Sequence, residues 1–358
     1  MRIVLSNASF KWGGVHFITE ILARRLPERG HEVVVFGRPG SVLEERMRGI
    51  VPFEAILKGM DLHPVMLWRA GAALRRHQTE AVLAMMKKDV RVTVPAARAL
   101  GIPSVVRHAN DRALTGWIYD RFFFGGLATA HIANSHATRR TLLESAPWLA
   151  GAPMTVIYNG IDSDSFATGA KAELQLPPGA LAIGFIGRLE KRKGVLDLAR
   201  AWHMVSQAVP EAHLVIAGSG PGETKTRELL GDAPRVNWLG YRKDVPEILR
   251  ALDIIAVPSH WEGFGLIAAE ALAAGVAVVA ARASSLPEIV TDGVHGRLIP
   301  RGDPESLAAA LIELSRDPDL RRKLTRVGQA RVRADFGVDR MVDAYEEVLE
   351  EVIREKRQ

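Results

Sequence analysis

The sequence predicts an α/β protein made of two doubly wound domains facing across a cleft, on three observations. The chain has 358 residues, enough for two domains with a core each. Short apolar runs alternate with amphipathic stretches, the βαβα order of a parallel sheet covered on both faces. After a break at Ala150–Pro153 the alternation starts again.

In the first half, strands are expected at Ile3–Leu5, Glu32–Phe36, Ala81–Ala84, Ser104–Arg107 and His131–Ala133, where apolar and β-branched residues cluster. Phe17–Arg29, His63–His77 and Ala137–Ser145 carry helical periodicity between them. The break leads through T-V-I-Y-N-G-I-D to a polar stretch, Ser163 to Ala172, that reads as a linker. Strands resume at Ala182–Ile186, His213–Ala217, Val236–Leu239, Ile254–Val257 and Val276–Ala280, with helices between them. Two helical stretches, Asp319–Ala334 and Val338–Arg354, end the chain. The expected division is 1–163, 164–337 and a last helix at 338–358.

Composition narrows the chemistry. Hydrophobic residues make up 47% and charged residues 25%, ordinary for a globular protein. With no cysteine, disulfides, thiolate zinc sites and cysteine nucleophiles are excluded. The first residues are too short an apolar run for a signal peptide, and no stretch approaches the length of a membrane span. The expected location is the cytoplasm, free or at the inner face of the membrane. Through Ser165 there are 21 Lys+Arg against 14 Asp+Glu; the remainder has 26 against 27. A basic first half fits an anionic partner, either a phosphorylated acceptor or a lipid surface, and also fits plain solvated helix faces. No nucleic-acid recognition motif accompanies the charge, so nucleic acid is not an expected partner.

The most informative segment is P-S-H-W-E-G-F-G-L-I-A-A-E-A-L, Pro258 to Leu272. It reads as a strand end, a glycine turn at Gly263 and Gly265, and a helix from Leu266. A helix opening there directs unpaired amides and a partial positive charge outward, a ready phosphate site. Glu262 precedes that opening and Glu270 lies one to two turns inside the helix, so two carboxylates flank one pocket at different depths. Upstream, G-R-L-E-K-R-K-G (Gly187 to Gly194) crowds four cations at a strand's C-terminal end. Arg188 can grip phosphate bidentately and Lys193 can act as a point charge, while Lys191 and Arg192 are expected to face water.

Other features are weaker. Gly13 and Gly14 sit between the first strand and a helix, and read equally as an anion-binding turn or a plain connection. H-L-V-I-A-G-S-G-P-G (His213–Gly222) misses the dinucleotide fingerprint because its third glycine falls one position early. Asp162 and Asp164 stand in a polar linker and are assigned to a turn rather than a metal site. His108 closes a strand and is expected to point into the cleft, to orient or deprotonate an acceptor hydroxyl or simply to be hydrogen-bonded there. Trp117, Tyr119, Phe122, Phe123 and Phe124, with Arg112 and Arg121 nearby, read as core with a lipid-facing part.

Gly13–Gly14, G-R-L-x3-K-G, the E-x7-E pair and L-P-E-I-V-x-D-G-x-x-G-x-L (Leu286 to Leu298), in that order, resemble the retaining glycosyltransferases of family 4. The resemblance spans nearly the whole chain and is strongest from Tyr158 to Gly302. It implies the GT-B fold, two Rossmann-like domains with acceptor in the first and nucleotide-sugar donor in the second, and a last helix crossing back to the first. It implies that Arg188 and Lys193 bind the donor diphosphate and Glu270 the ribose, and that Glu262 touches the transferred sugar. The amides of Gly263, Phe264, Gly265 and Leu266 would cradle phosphate and sugar, Gly13 and Gly14 would also contact the donor, and the base would lie near Tyr241. The expected donor is a nucleotide diphosphate sugar, without a metal or other cofactor. The acceptor is expected to be a glycan or lipid-linked glycan, as in envelope polysaccharide or lipopolysaccharide synthesis. Ser284–Ser285 stands where the family often has paired glycines. A glycoside hydrolase, a sugar-nucleotide epimerase and a non-catalytic nucleotide-sugar-binding protein are the competing readings.

Overall fold

The computed structural model describes residues 1–10, 13–58, 63–114 and 118–358. Trp117, one of the five aromatics singled out above, lies outside them. The first stretch runs β1 (Arg2–Asn7), α1 (Gly14–Glu28), β2 (Glu32–Gly37), α2 (Val42–Met47), β3 (Phe53–Glu54), α3 (Pro64–Arg76) and β4 (Ala81–Ala84). It continues with α4 (Lys87–Ala99), β5 (Ser104–His108), α5 (Ile118–Asp120) passing into a π-helix (Arg121–Leu127), β6 (Ala130–Ala133), α6 (His136–Ser145) and β7 (Met154–Val156). The second stretch runs α7 (Ser163–Ala167), β8 (Leu181–Ile186), a 3₁₀ turn (Lys191–Lys193), α8 (Val195–Ala208), β9 (Ala212–Ala217), α9 (Glu223–Leu230) and β10 (Val236–Gly240). Then come α10 (Val245–Ala251), β11 (Ile254–Val257), α11 (Leu266–Ala273), β12 (Ala277–Ala281), α12 (Leu286–Ile289), β13 (Arg297–Ile299), α13 (Pro304–Arg316), α14 (Pro318–Asp335) and α15 (Val338–Arg357).

The chain divides into two units, residues 1–160 with 338–358, and residues 161–337. Each is a parallel sheet. The first has the order β3-β2-β1-β4-β5-β6-β7 and the second β10-β9-β8-β11-β12-β13. Both orders reverse beside their first strand, at β1/β4 and β8/β11, and it is at such switch points that this architecture takes ligands.

Strand alternation sets the layers of the first unit. Ile3, Leu5, Val33, Val35, Leu83 and Ile132 face α1, α2 and α15, while Val4, Val34, Val82, Ala84 and Val106 face α3, α4 and the π-helix. The last helix belongs to this unit. Met341, Tyr345, Leu349 and Val352 complete its core, and Arg29 pairs with Asp343 and Glu346 at 2.5 and 2.8 Å. Where the chain leaves the unit, Gly160 packs so closely that an added Cβ would stand 2.8 Å from Val338 Cα. In the second unit, Ile183, Phe185, Leu214, Ile216, Ile254 and Val279 share a core with α8 and α13.

The sequence reading missed three strands of two or three residues, β3, β7 and β13. Thr155–Val156, read as the segment following the break, is part of edge strand β7, and the linker's Ser163–Ala167 is a short helix that Asp162 caps by accepting from Ser165 N. Asp162 and Asp164 therefore belong to a helix start.

Candidate active site

In the second unit, the loops leaving β8 and β11 bring the cationic run and the first glutamate together. Lys193 Nζ lies 2.5 Å from Glu262 Oε1, the same oxygen that accepts from Ser259 Oγ at 2.8 Å. Arg192 Nη1 stands 3.9 Å from the other carboxylate oxygen. Glu262 is buried, and these partners offset the cost of burying a carboxylate. Ser285 Oγ donates to the Glu262 carbonyl at 3.2 Å and ties the loop to the start of α12.

The approach of the two loops depends on Gly194. Its φ is 71°, in the left-handed region, and an added Cβ would stand 1.9 Å from Pro258 O. Only glycine satisfies both conditions, and it lets the Lys193 turn lie directly on the end of β11. A similar close approach explains the glycines of G-S-G-P-G: a Cβ on Gly218 would stand 1.9 Å from Gly187 O. These glycines pack one strand-end loop on another.

Arg188 is exposed, 4.0 Å from Glu190 Oε2. Lys191 is exposed, as expected. Arg192 is not a water-facing side chain: it pairs with Glu190 and its guanidinium lies 4.5 Å from the centre of the Trp261 ring. The adjacent indole supplies a face that the cation prefers to bulk water. His260 Nε2 lies 2.6 Å from Asp197 Oδ2 and fastens the same loop to α8. Ser259, His260, Trp261 and Asp197 were not singled out from sequence, and Ser285 was noted only as a departure from the family's paired glycines. The i,i+3 spacing of Ser259 and Glu262 was the one signal available for them.

α11 opens at Leu266 with Gly265 as its cap, and Gly263, Phe264 and Gly265 are buried along the approach. The Phe264 ring turns inward onto Phe336, 5.5 Å away edge to face, so only its backbone faces the strand ends. Glu270 lies just over one turn into the helix. It retains some solvent contact, yet burial pushes its carboxyl up to about 7, against a smaller lowering by the charge of Lys193. Lys193 thus acts on both glutamates. Tyr241, after β10, is exposed.

The first unit places its predicted residues separately. Gly13 caps α1 with open space beside it, and Gly14 begins the helix. His108 does not project from the strand end as expected. It is still in the ladder, paired with Ala133, so alternation turns its ring onto the sheet face against Phe124 and His131. Its Nε2 is 3.1 Å from His131 Nδ1, and burial, then the neighbouring His131 and Arg107, hold its pKa well below the ordinary value. Phe123 and Phe124 are core; Tyr119 and Phe122 are exposed.

Residues 12–165 match the family described as Glycosyltransferase Family 4, and residues 168–331 match Glycosyl transferases group 1. The lipopolysaccharide core biosynthesis mannosyltransferase LpsB of Rhizobium meliloti (strain 1021) is 28% identical over 99% of this chain and 98% of its own length. The D-inositol 3-phosphate glycosyltransferase of Mycolicibacterium gilvum (strain PYR-GCK) is 40% identical over 44% of this chain; the match spans about two fifths of that protein, 38%. Among solved structures, Anabaena Alr3699/HepE in complex with UDP and glucose superposes with a TM-score of 0.81 at 23% identity, over 98% of this chain and 100% of that one. That likeness shows the GT-B fold, two Rossmann-like domains. With its first half matching one family and its second half the other, the chain belongs to the family 4, group 1 glycosyltransferases.

Proposed function

We propose that this protein transfers a sugar from a nucleotide diphosphate sugar to a glycan or lipid-linked acceptor, with retention of anomeric configuration and without a metal. The observation that carries the reading is the convergence of Lys193, Arg192 and Glu262 at the β8/β11 switch point, beside the open amino end of α11.

The chemistry follows from charge. As the bond from the anomeric carbon to the diphosphate oxygen breaks, its electron pair stays on the diphosphate. Arg188, Lys193 and the α11 amides meet that charge with dipoles fixed in advance, and one such donor contributes about 3 kcal/mol to the transition state. The acceptor hydroxyl oxygen bonds to the anomeric carbon from the face the diphosphate leaves, and its proton passes to a donor phosphate oxygen. Glu270 accepts the ribose hydroxyls, Glu262 positions the sugar, and the backbone near Tyr241 meets the base. Gly13 and Gly14, at the start of α1, are assigned to the donor as well, and a Cβ on Gly13 would meet nothing within 4 Å. His108, buried and hydrogen-bonded, serves that unit by holding its strand end.

LpsB is a lipopolysaccharide core biosynthesis mannosyltransferase, and HepE was solved in complex with UDP and glucose. The first supports an envelope glycan acceptor here and the second a nucleotide-sugar donor. A thermal-shift screen of UDP, GDP and ADP tests the reading. The cognate nucleotide at ~100 times its dissociation constant stabilises by ~2.7 kcal/mol. Stabilisation by none of the three, or undiminished stabilisation in Arg188→Ala/Lys193→Ala, would contradict it.

A further inference from the structure

One helical layer of the first unit has an outer surface unlike the rest of the molecule. α3, α4 and the α5–π-helix run lie side by side on one sheet face, with Met66, Leu74, Val92, Val94, Phe123 and Phe124 turned inward. Outward, they expose Trp68 at 70%, Ile118 at 82%, Tyr119 at 60% and Phe122 at 56%. Arg69, Arg75, Arg98 and Arg121 are exposed on the same elements. Their acidic residues are Asp89 and Asp120. Both are buried, and Asp120 is ion-paired with Lys87 at 3.0 Å. Among the described residues, these elements therefore show solvent exposed cations and large apolar side chains but no exposed carboxylate.

Each half of that description points to a partner. Large apolar side chains gathered on one exposed layer mark an interaction surface. Trp and Tyr with flanking arginines suit the headgroup region of a bilayer, where amphipathic rings and guanidinium stems are both accommodated. The charge agrees. The first unit holds 25 Lys+Arg against 19 Asp+Glu and the second 22 of each, so the whole surplus of six lies on this unit. Among the described residues no helix is long and apolar enough to cross a membrane.

We propose that this layer docks on an anionic lipid bilayer, with Trp68, Ile118 and Phe122 at headgroup depth and Arg69, Arg98 and Arg121 against lipid phosphates. The inference deepens the lipid-linked-acceptor reading above. Its test needs neither donor nor turnover, so the two can fail separately. The full chain is floated with vesicles of phosphatidylcholine alone, or with about a third phosphatidylglycerol, at low and high salt. It should float with the anionic vesicles at 0.1 M salt and be released near 1 M, as the Debye length falls from about 10 to about 3 Å. Trp68→Ser/Ile118→Ser/Phe122→Ser and Arg69→Gln/Arg98→Gln/Arg121→Gln should each lower the partition coefficient at least ~10-fold, given about 1 kcal/mol per basic residue at such a surface. Their melting temperatures should match the parent's. No flotation at low salt, equal binding to neutral vesicles, or variants that bind like the parent would each overturn the proposal. So would a dimer in solution that the apolar triple variant converts to monomer, which would assign the face to a second copy of this chain.

Discussion

The Lys193 ammonium and the Glu262 carboxylate stand 2.5 Å apart across the ends of β8 and β11, and Glu262 is the more deeply buried of the two. Removing either partner therefore has unequal consequences. Lys193→Ala leaves a buried carboxylate with Arg192 at 3.9 Å as its nearest cation, and should cost the second unit about 1–3 kcal/mol. Arg188→Ala, at an exposed side chain, should leave stability unchanged. Both should lower turnover by about 10²–10³. Urea unfolding and steady-state rates measure the split. Lys193→Ala/Glu262→Gln should recover stability without activity, and recovery of both would refute the assignment.

Glu270 gives the second unit a pH signature. Its carboxyl is pushed up to about 7 in the fold against an ordinary 4.5. Between those values the folded form holds a proton that the unfolded chain has released, so stability falls as pH rises through this window. A Glu270→Gln variant should lose that decline. Parallel stability–pH curves for parent and variant would show that the carboxyl does not titrate there.

In the first unit the two buried histidines act in the opposite direction, against the buried Asp89 carboxyl, which burial raises to about 8. Burial lowers His131 to about 4, and His108 lies well below its ordinary value. The unfolded chain gains protons below about 6.5 that the fold excludes, so the histidines' share of stability is lost as pH falls from there toward 4. His131→Gln should show a shallower slope between pH 6.5 and 5, where few carboxylates titrate. An unchanged slope would place the acid sensitivity elsewhere.

Gly194→Ala should cost at least ~2 kcal/mol, since a Cβ 1.9 Å from Pro258 O forces the two loops apart at a φ that alanine disfavours. Because the shift moves Lys193 from Glu262, turnover should fall with stability. A variant of normal melting temperature and rate would show that the loops yield freely.

Periodicity located the long strands and most long helices, because buried parallel strands and amphipathic helices write their pattern in adjacent residues, but α4 and α13 were not placed. β3, β7 and β13 were missed, since two or three residues are too few to show a period. Within the site, Glu262, Lys193 and the α11 opening could be read from local spacing. The placement of His108 could not. Whether a strand's last residue leaves the ladder depends on the neighbouring strand, here Ala133 of β6. Arg192 escaped for a related reason, as its stacking on Trp261 joins positions 69 apart.

Because α15 supplies Met341, Tyr345, Leu349 and Val352 to a core begun at Ile3, the first unit encloses an entire second one in sequence. During synthesis, residues 161–337 can close their sheet while the earlier-made unit still has an open apolar face waiting on the ribosome to finish. The part translated first is the part completed last, and that interval is when a chaperone has something to hold.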